Sequence, residues 1–180
     1  NRNLYRQIKV EATLGMEFTE ITESGDNDDD VRPTTELYNE VTLPGIHSSV
    51  TIAHLDLAAV IDTKNRPGNP TSGWEAFVKS SLFYQVDDDR FAFTKYAFDV
   101  QKYFHLFYRR VLVFRLGGEL TKSFDDKEIP FYYLSELGES NTIRGFERGR
   151  YRDRDKILGS IEYRYPVWRN WDEHGIDFFI

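Results

Sequence analysis

Apolar residues recur at every second position over long stretches of this chain. From Ile8 to Phe18 the even positions are Ile8, Val10, Ala12, Leu14, Met16 and Phe18, with Lys9, Glu11, Thr13, Gly15 and Glu17 between them. Neighbouring side chains of a strand point to opposite faces, so this run predicts a strand with one apolar and one polar side. Thr51 to Ile61 repeats the pattern, with Ala53, Leu55, Leu57 and Ala59 on one face and His54, Asp56 and Asp62 on the other. Further alternating strands are predicted from Trp74 to Val86, Phe91 to Tyr103, Arg110 to Leu120 and Ile157 to Val167, and another begins near Gly175. No helical period competes over any long window.

The runs are about 10 to 13 residues long. Strands of soluble sandwiches average about 5 to 6 residues, and a second sheet covers their apolar face. A strand that crosses a bilayer needs about 10 residues, of which only alternate ones face lipid. The expected fold class is therefore all-β: an antiparallel up-and-down transmembrane β-barrel, present here as about seven strands in one domain over residues 1–180. On the polar faces, opposite charges such as Lys9 with Glu11 and Arg115 with Glu119 are expected to pair. A soluble β-sandwich binding module is the alternative reading of the alternation.

The connections differ in length. Residues 64–73 (KNRPGNPTSG) form a Pro- and Gly-rich turn, and Asp87–Asp89 and residues 104–109 form two more short ones. Longer polar loops follow the first strand, with the acidic run 26–30, and the fifth, over residues 121–156. Outer-membrane barrels have short periplasmic turns and long outer loops, which orients the first, third and fifth strands outward. Phe104, Phe107, Tyr108, Trp168, Trp171 and Trp74 then collect at the inner interface, as an aromatic girdle does. The acidic run faces the exterior as a solvated loop.

Composition narrows the function classes. A net charge of −7 argues against a nucleic-acid partner, because phosphate-backbone binders carry a basic surplus. The chain has no Cys, which removes disulfides and thiolate metal sites. Its four His (His47, His54, His105, His174) show no metal-ligand spacing, and there is neither a nucleophile elbow nor a phosphate-binding glycine loop. No enzymatic role, cofactor or metal is expected. The chain starts at Asn1 and stops at Ile180 in mid-pattern, so it reads as a fragment of a longer precursor.

Two segments carry more specific information. The first is the turn DTKNRPGNPTSGW, in which Asp62, Thr63, Pro70 and Gly73 stand out. The second runs from Ile129-Pro130-Phe131-Tyr132 through Gly138 to Ile143-Arg144-Gly145-Phe146, and on to Gly159-Ser160-Ile161-Glu162-Tyr163-Arg164. Over about residues 5–180 this order resembles the BamA/TamA-type bacterial surface antigen family. The first segment is similar to that family's periplasmic turn, with Lys64 in place of the usual Arg. The second is similar to its outer loop that folds back into the barrel, together with the strand that follows.

The resemblance implies a bacterial outer-membrane protein that inserts, assembles or translocates other proteins. Its partners would be outer-membrane lipid, unfolded outer-membrane or secreted clients, and periplasmic or lipoprotein accessory subunits. A two-partner-type secretion pore uses the same loop and is the nearest alternative. The resemblance also makes Arg144 a cation inside the barrel. A guanidinium cannot deprotonate and has five donors, so there it needs carboxylates. Glu162 on the following strand is the first expected partner and Glu119 the second. Gly145 would give a tight backbone path, and Phe146 would wedge the loop against the wall. Arg148 to Lys156 is expected to be a solvated cluster that pairs with its own Asp153 and Asp155.

Overall fold

The computed structural model describes residues 8–21, 34–138, 142–143, 145–169 and 175–179. Seven strands form one antiparallel sheet: β1 (Ile8–Thr19), β2 (Val50–Asp62), β3 (Gly73–Gln85), β4 (Ala92–His105), β5 (Val111–Ser123), β8 (Lys156–Arg169) and β9 (Gly175–Phe179). Each is hydrogen-bonded to the next in chain order, a meander with no crossover. The loop between β5 and β8 contains a second, two-stranded sheet of β6 (Ser135–Leu137) and β7 (Tyr151–Asp153). The sequence pattern gave no sign of this hairpin, because three-residue strands are too short to display a period.

Register sorts the side chains into two continuous faces. One row runs Val10, Ala59, Val78, Phe98, Gly118, Ile157, and the next Ile8, Ile61, Ala76, Val100, Leu116, Gly159. This face is apolar and open: Leu14 is 82% exposed, Val10 74% and Ile157 71%. Among the described residues no second sheet covers it, so the sandwich reading does not hold. The opposite face carries the row Glu11, Ala58, Lys79, Ala97, Glu119, Lys156 and the row Thr13, Asp56, Ser81, Lys95, Thr121. A sheet that exposes its apolar side and gathers its charges on the other has the polarity of a membrane wall, the reverse of a water-soluble one.

The polar face turns apolar near the loop-bearing end. Val50, Ile52, Phe83, Phe91, Phe93 and Ile129 form a buried cluster there, with Tyr133 and Leu134 packed on it. Phe83 stacks on Phe93 at 4.7 Å, and the Tyr133 ring leans on both at 5.1 and 5.2 Å. The β5–β8 loop thus lies on the polar side of the sheet and supplies the cover. No helix of the described residues is long and apolar enough to cross a membrane.

Candidate functional site

The site is the seat of the β5–β8 loop on the polar face. At its centre the Glu119 carboxylate of β5 meets Lys156 of β8 at 2.8 Å and Lys95 of β4 at 3.0 Å. It also accepts the Ser135 hydroxyl of β6 at 2.9 Å. One carboxylate therefore joins three strands of the wall to the loop. Each lysine also reaches a loop carbonyl: Lys95 Nζ donates to Tyr133 O at 3.2 Å and Lys156 Nζ to Glu136 O at 3.2 Å. Asp155 accepts the Thr121 amide at 2.9 Å, closing the ladder where β5 and β8 diverge. At the far end of the seat the Tyr133 hydroxyl donates to Glu17 of β1 at 2.9 Å.

Beside this hub Asp99 of β4 holds Arg115 of β5 at 2.7 Å. Arg115 thus pairs across the sheet with Asp99, where the sequence reading set it with Glu119 on its own strand. Side chains four apart on a strand stand roughly 13 Å from each other, whereas cross-strand neighbours are about 5 Å apart. A Cβ on Gly117 would stand 2.7 Å from Asp99 Oδ2, so the glycine leaves room for the pair. A cavity of about 210 Å³ separates Asp99, Arg115, Glu119 and Lys156 of the wall from Leu137 and Thr142 of the loop.

The loop braces itself by the same means. The β6–β7 register sets Glu136 opposite Arg152, and the two meet at 2.6 Å, with Arg148 at 3.7 Å. Within the basic segment Arg148 and Arg152 pair with Glu136 and Lys156 with Glu119, where the sequence reading set the cations with Asp153 and Asp155; Asp153 instead accepts the Arg154 amide at 2.7 Å. Gly138 has φ of 125° and its backbone abuts the Glu147 carbonyl, so any side chain would collide there. Thr142 Oγ1 donates to Gly138 O at 2.6 Å and accepts from Gly138 N at 3.0 Å.

The tetrad hangs from this crossing point. Arg144 lies outside the described residues, as do the acidic run 26–30, Trp171 and His174. Ile143 is half-buried, Gly145 has φ of 90°, and Phe146 is half-exposed with its ring 5.8 Å from that of Tyr151 on β7. Glu162 forms an ion pair with Arg164 on its own strand, and the Arg164 guanidinium lies 5.7 Å from the Tyr103 ring. Glu162 pairs in register with Val113, and Lys156 with Glu119. The two candidate carboxylates are thus separated by roughly 20 Å along the wall, and one guanidinium cannot serve both.

The turn motif at the opposite end of the sheet is tightly bonded. The Thr63 amide donates to Trp74 O at 2.8 Å, and the Thr63 Oγ1 accepts the Trp74 amide at 2.8 Å. Asp62 accepts the Lys64 amide at 2.9 Å, and Lys64 Nζ reaches Glu75 at 2.7 Å. Burial by itself would lower the Lys64 pKa, but Glu75 and Asp62 raise it above the ordinary lysine value. Pro70 is buried, and Gly73 has φ of 114° with no room for a side chain against Thr63 O. Lys64 thus makes charge-assisted bonds where the family resemblance led to an arginine.

A meander with a bare apolar exterior and a loop seated on its charged interior is the wall of a membrane-type β-barrel. The chain belongs to the Omp85 superfamily, whose domain model matches residues 9–180. The fold is similar to the crystal structure of BamA from Haemophilus ducreyi lacking POTRA domains 1–3, with a TM-score of 0.60 and 21% sequence identity. That match covers 71% of this chain and 29% of the BamA chain, so the chain spans under a third of that structure. No curated protein sequence matches. The superfamily acts in outer-membrane protein assembly and translocation, and its members are non-enzymatic barrels.

Proposed function

We propose that this chain is part of the wall of a bacterial outer-membrane barrel that inserts or translocates protein clients, with the β5–β8 loop as its internal brace. The observation that carries this reading is the Glu119 hub, where a single carboxylate fastens the loop to β4, β5 and β8. A fastened loop stiffens one sector of wall while leaving distant strands free to part, and client strands can add to an opened edge by β-augmentation. Unfolded clients and outer-membrane lipid are the partners in this reading, together with periplasmic or lipoprotein accessory subunits. The motif of Asp62, Thr63, Pro70 and Gly73 serves as the rigid periplasmic turn.

Arg144 acts in this reading as a second fastener, with Glu162 as its acceptor. Glu119 already faces two ammonium groups, which leaves it the weaker host for a third cation. The cavity below Thr142 ends at Arg115, whose register partner Ser160 is two residues from Glu162. That gap is roughly 7 Å, within reach of a long side chain. The test is a double-mutant cycle of Arg144→Ala and Glu162→Gln in the full-length protein, read by heat-modifiable gel mobility and by client insertion. Coupled losses support the brace. Normal insertion with an unchanged gel shift in Arg144→Ala rejects it.

A further inference from the structure

Lys102 stands on the wrong face for a lysine. It occupies the apolar side of β4, between Trp74 of β3 and Phe114 of β5 in the register. Its ammonium lies 4.2 Å from the centre of the Trp74 ring and 5.4 Å from that of Phe104. On the charged face Lys64, Lys79, Lys95 and Lys156 each meet a carboxylate. Lys102 meets none among the described residues, only π faces. Such contacts hold a cation in place without neutralising it. A charge facing lipid is costly at mid-membrane and tolerated near the interface, and Lys102 lies three residues from the short-turn end of β4 at His105.

Two further cations stand close by in the β4–β5 turn. The Arg110 guanidinium lies 5.2 Å from the Phe107 ring, and Arg109 is exposed. The same face offers a place for a hydrocarbon tail. A groove of about 380 Å³ lies among Leu57, Ala59, Val78, Tyr96 and Phe98, where small side chains leave a dip in the apolar belt. Phe98 is four positions from Lys102 on the same side of the same strand, roughly 13 Å away, less than the length of one acyl chain.

We propose that Lys102, with Trp74, Phe104 and the Arg109–Arg110 turn, seats the phosphate headgroup of an anionic phospholipid, one acyl chain of which lies in the Phe98 groove. The proposal rests on the membrane orientation adopted above, which puts the β2–β3 and β4–β5 turns at the inner leaflet. There the lipid fixes the height of the wall at the short-turn rim, beside the bonded turn at Thr63 and Gly73.

Native mass spectrometry of the full-length protein in detergent, with equimolar phosphatidylglycerol and phosphatidylcholine, tests it. The wild type is expected to retain the anionic lipid preferentially. Lys102→Gln loses about fivefold of that preference, the effect of one lysine at an anionic surface. Lys102→Arg keeps it, and so does Lys122→Gln, which removes a cation from the same face near the opposite end of the sheet. Equal retention of both lipids by the wild type overturns the proposal, as does an unchanged ratio in a folded Lys102→Gln. Displacement of the lipid by an equal concentration of glycerol 3-phosphate overturns it too, because the site then takes free phosphate. A protein that remains in solution without detergent rejects the membrane orientation itself, an outcome separate from indifference to headgroup charge.

Discussion

The Arg90 guanidinium lies 2.7 Å from the Glu40 carboxylate and 2.7 Å from that of Glu128. Glu40 belongs to the β1–β2 loop, Glu128 to the β5–β8 loop, and Arg90 to the turn between β3 and β4. One cation thus ties the two long loops together at one end of the sheet. Glu40 in turn accepts the amides of Gly45 at 2.9 Å and His47 at 2.7 Å and the Ser48 hydroxyl at 3.0 Å, which folds its own loop around the carboxylate.

Arg90→Ala is expected to destabilise the folded protein by about 1–2 kcal/mol, the range for a partly exposed charge-assisted pair whose carboxylate keeps other donors. Urea unfolding in detergent reads the change. Protease cleavage over residues 38–49 should rise with it, and an unmoved midpoint together with unmoved cleavage would contradict the tie.

The same knot sets a pH dependence. Burial alone would raise the Glu40 pKa. The Gly45 and His47 amides, Arg90 and Ser48 outweigh it and hold the value at about 2, below the ordinary 4.5. A depressed carboxyl pKa stabilises the fold fully above the unfolded value and loses that effect as pH falls through the folded one. Pepsin cleavage of this loop, normalised to an unfolded peptide, should stay slow at pH 4 and accelerate towards pH 2. In Glu40→Gln the normalised rate should be flat over that interval.

Glu119→Ala should cost about 1–3 kcal/mol, because it leaves Lys95 and Lys156 facing each other across a partly desolvated seat. The β6–β7 hairpin should become sensitive to protease while the β1–β4 segment stays protected. Adding Lys156→Ala should recover part of the loss, since removing both partners is milder than removing one. Strict additivity of the two substitutions would show that the pair is not coupled.

Gly73→Ala combines a positive φ with a collision against the Thr63 backbone, and neither can be relieved by a rotamer change. It is expected to reduce the heat-modifiable, folded fraction sharply, with a penalty of about 2–4 kcal/mol. Gly68 sits in the same turn with open space around the position of a Cβ, so Gly68→Ala should leave that fraction unchanged.

Much of this architecture was legible in the chain. Alternation from Ile8 to Phe18 located β1 within one residue of its end at Thr19, and the same reasoning found the other six strands of the large sheet but not the β6–β7 hairpin. The pattern was least informative where both faces are apolar, as at Phe83 and Phe93, because there the loop replaces water as the neighbour of the charged face. The partners of Glu119 were also beyond local reading. Lys95, Ser135 and Lys156 come from three separate segments, and only register brings them to one carboxylate. The turn residues Thr63 and Gly73 were readable because their chemistry is local: a hydroxyl bonded across an eleven-residue span, and a backbone angle that suits glycine.

The hydrogen bond between Tyr133 and Glu17 joins residues 116 positions apart. Closing so long a stretch is entropically expensive until the intervening strands have paired and shortened the path. The bond therefore forms late, once β1 has aligned on β2 and the meander has carried β5 into place. A slip of one residue anywhere between them would turn Glu17 to the lipid side and leave the tyrosine without its acceptor. Settling of the loop is in this sense a checksum on the register of the strands beneath it.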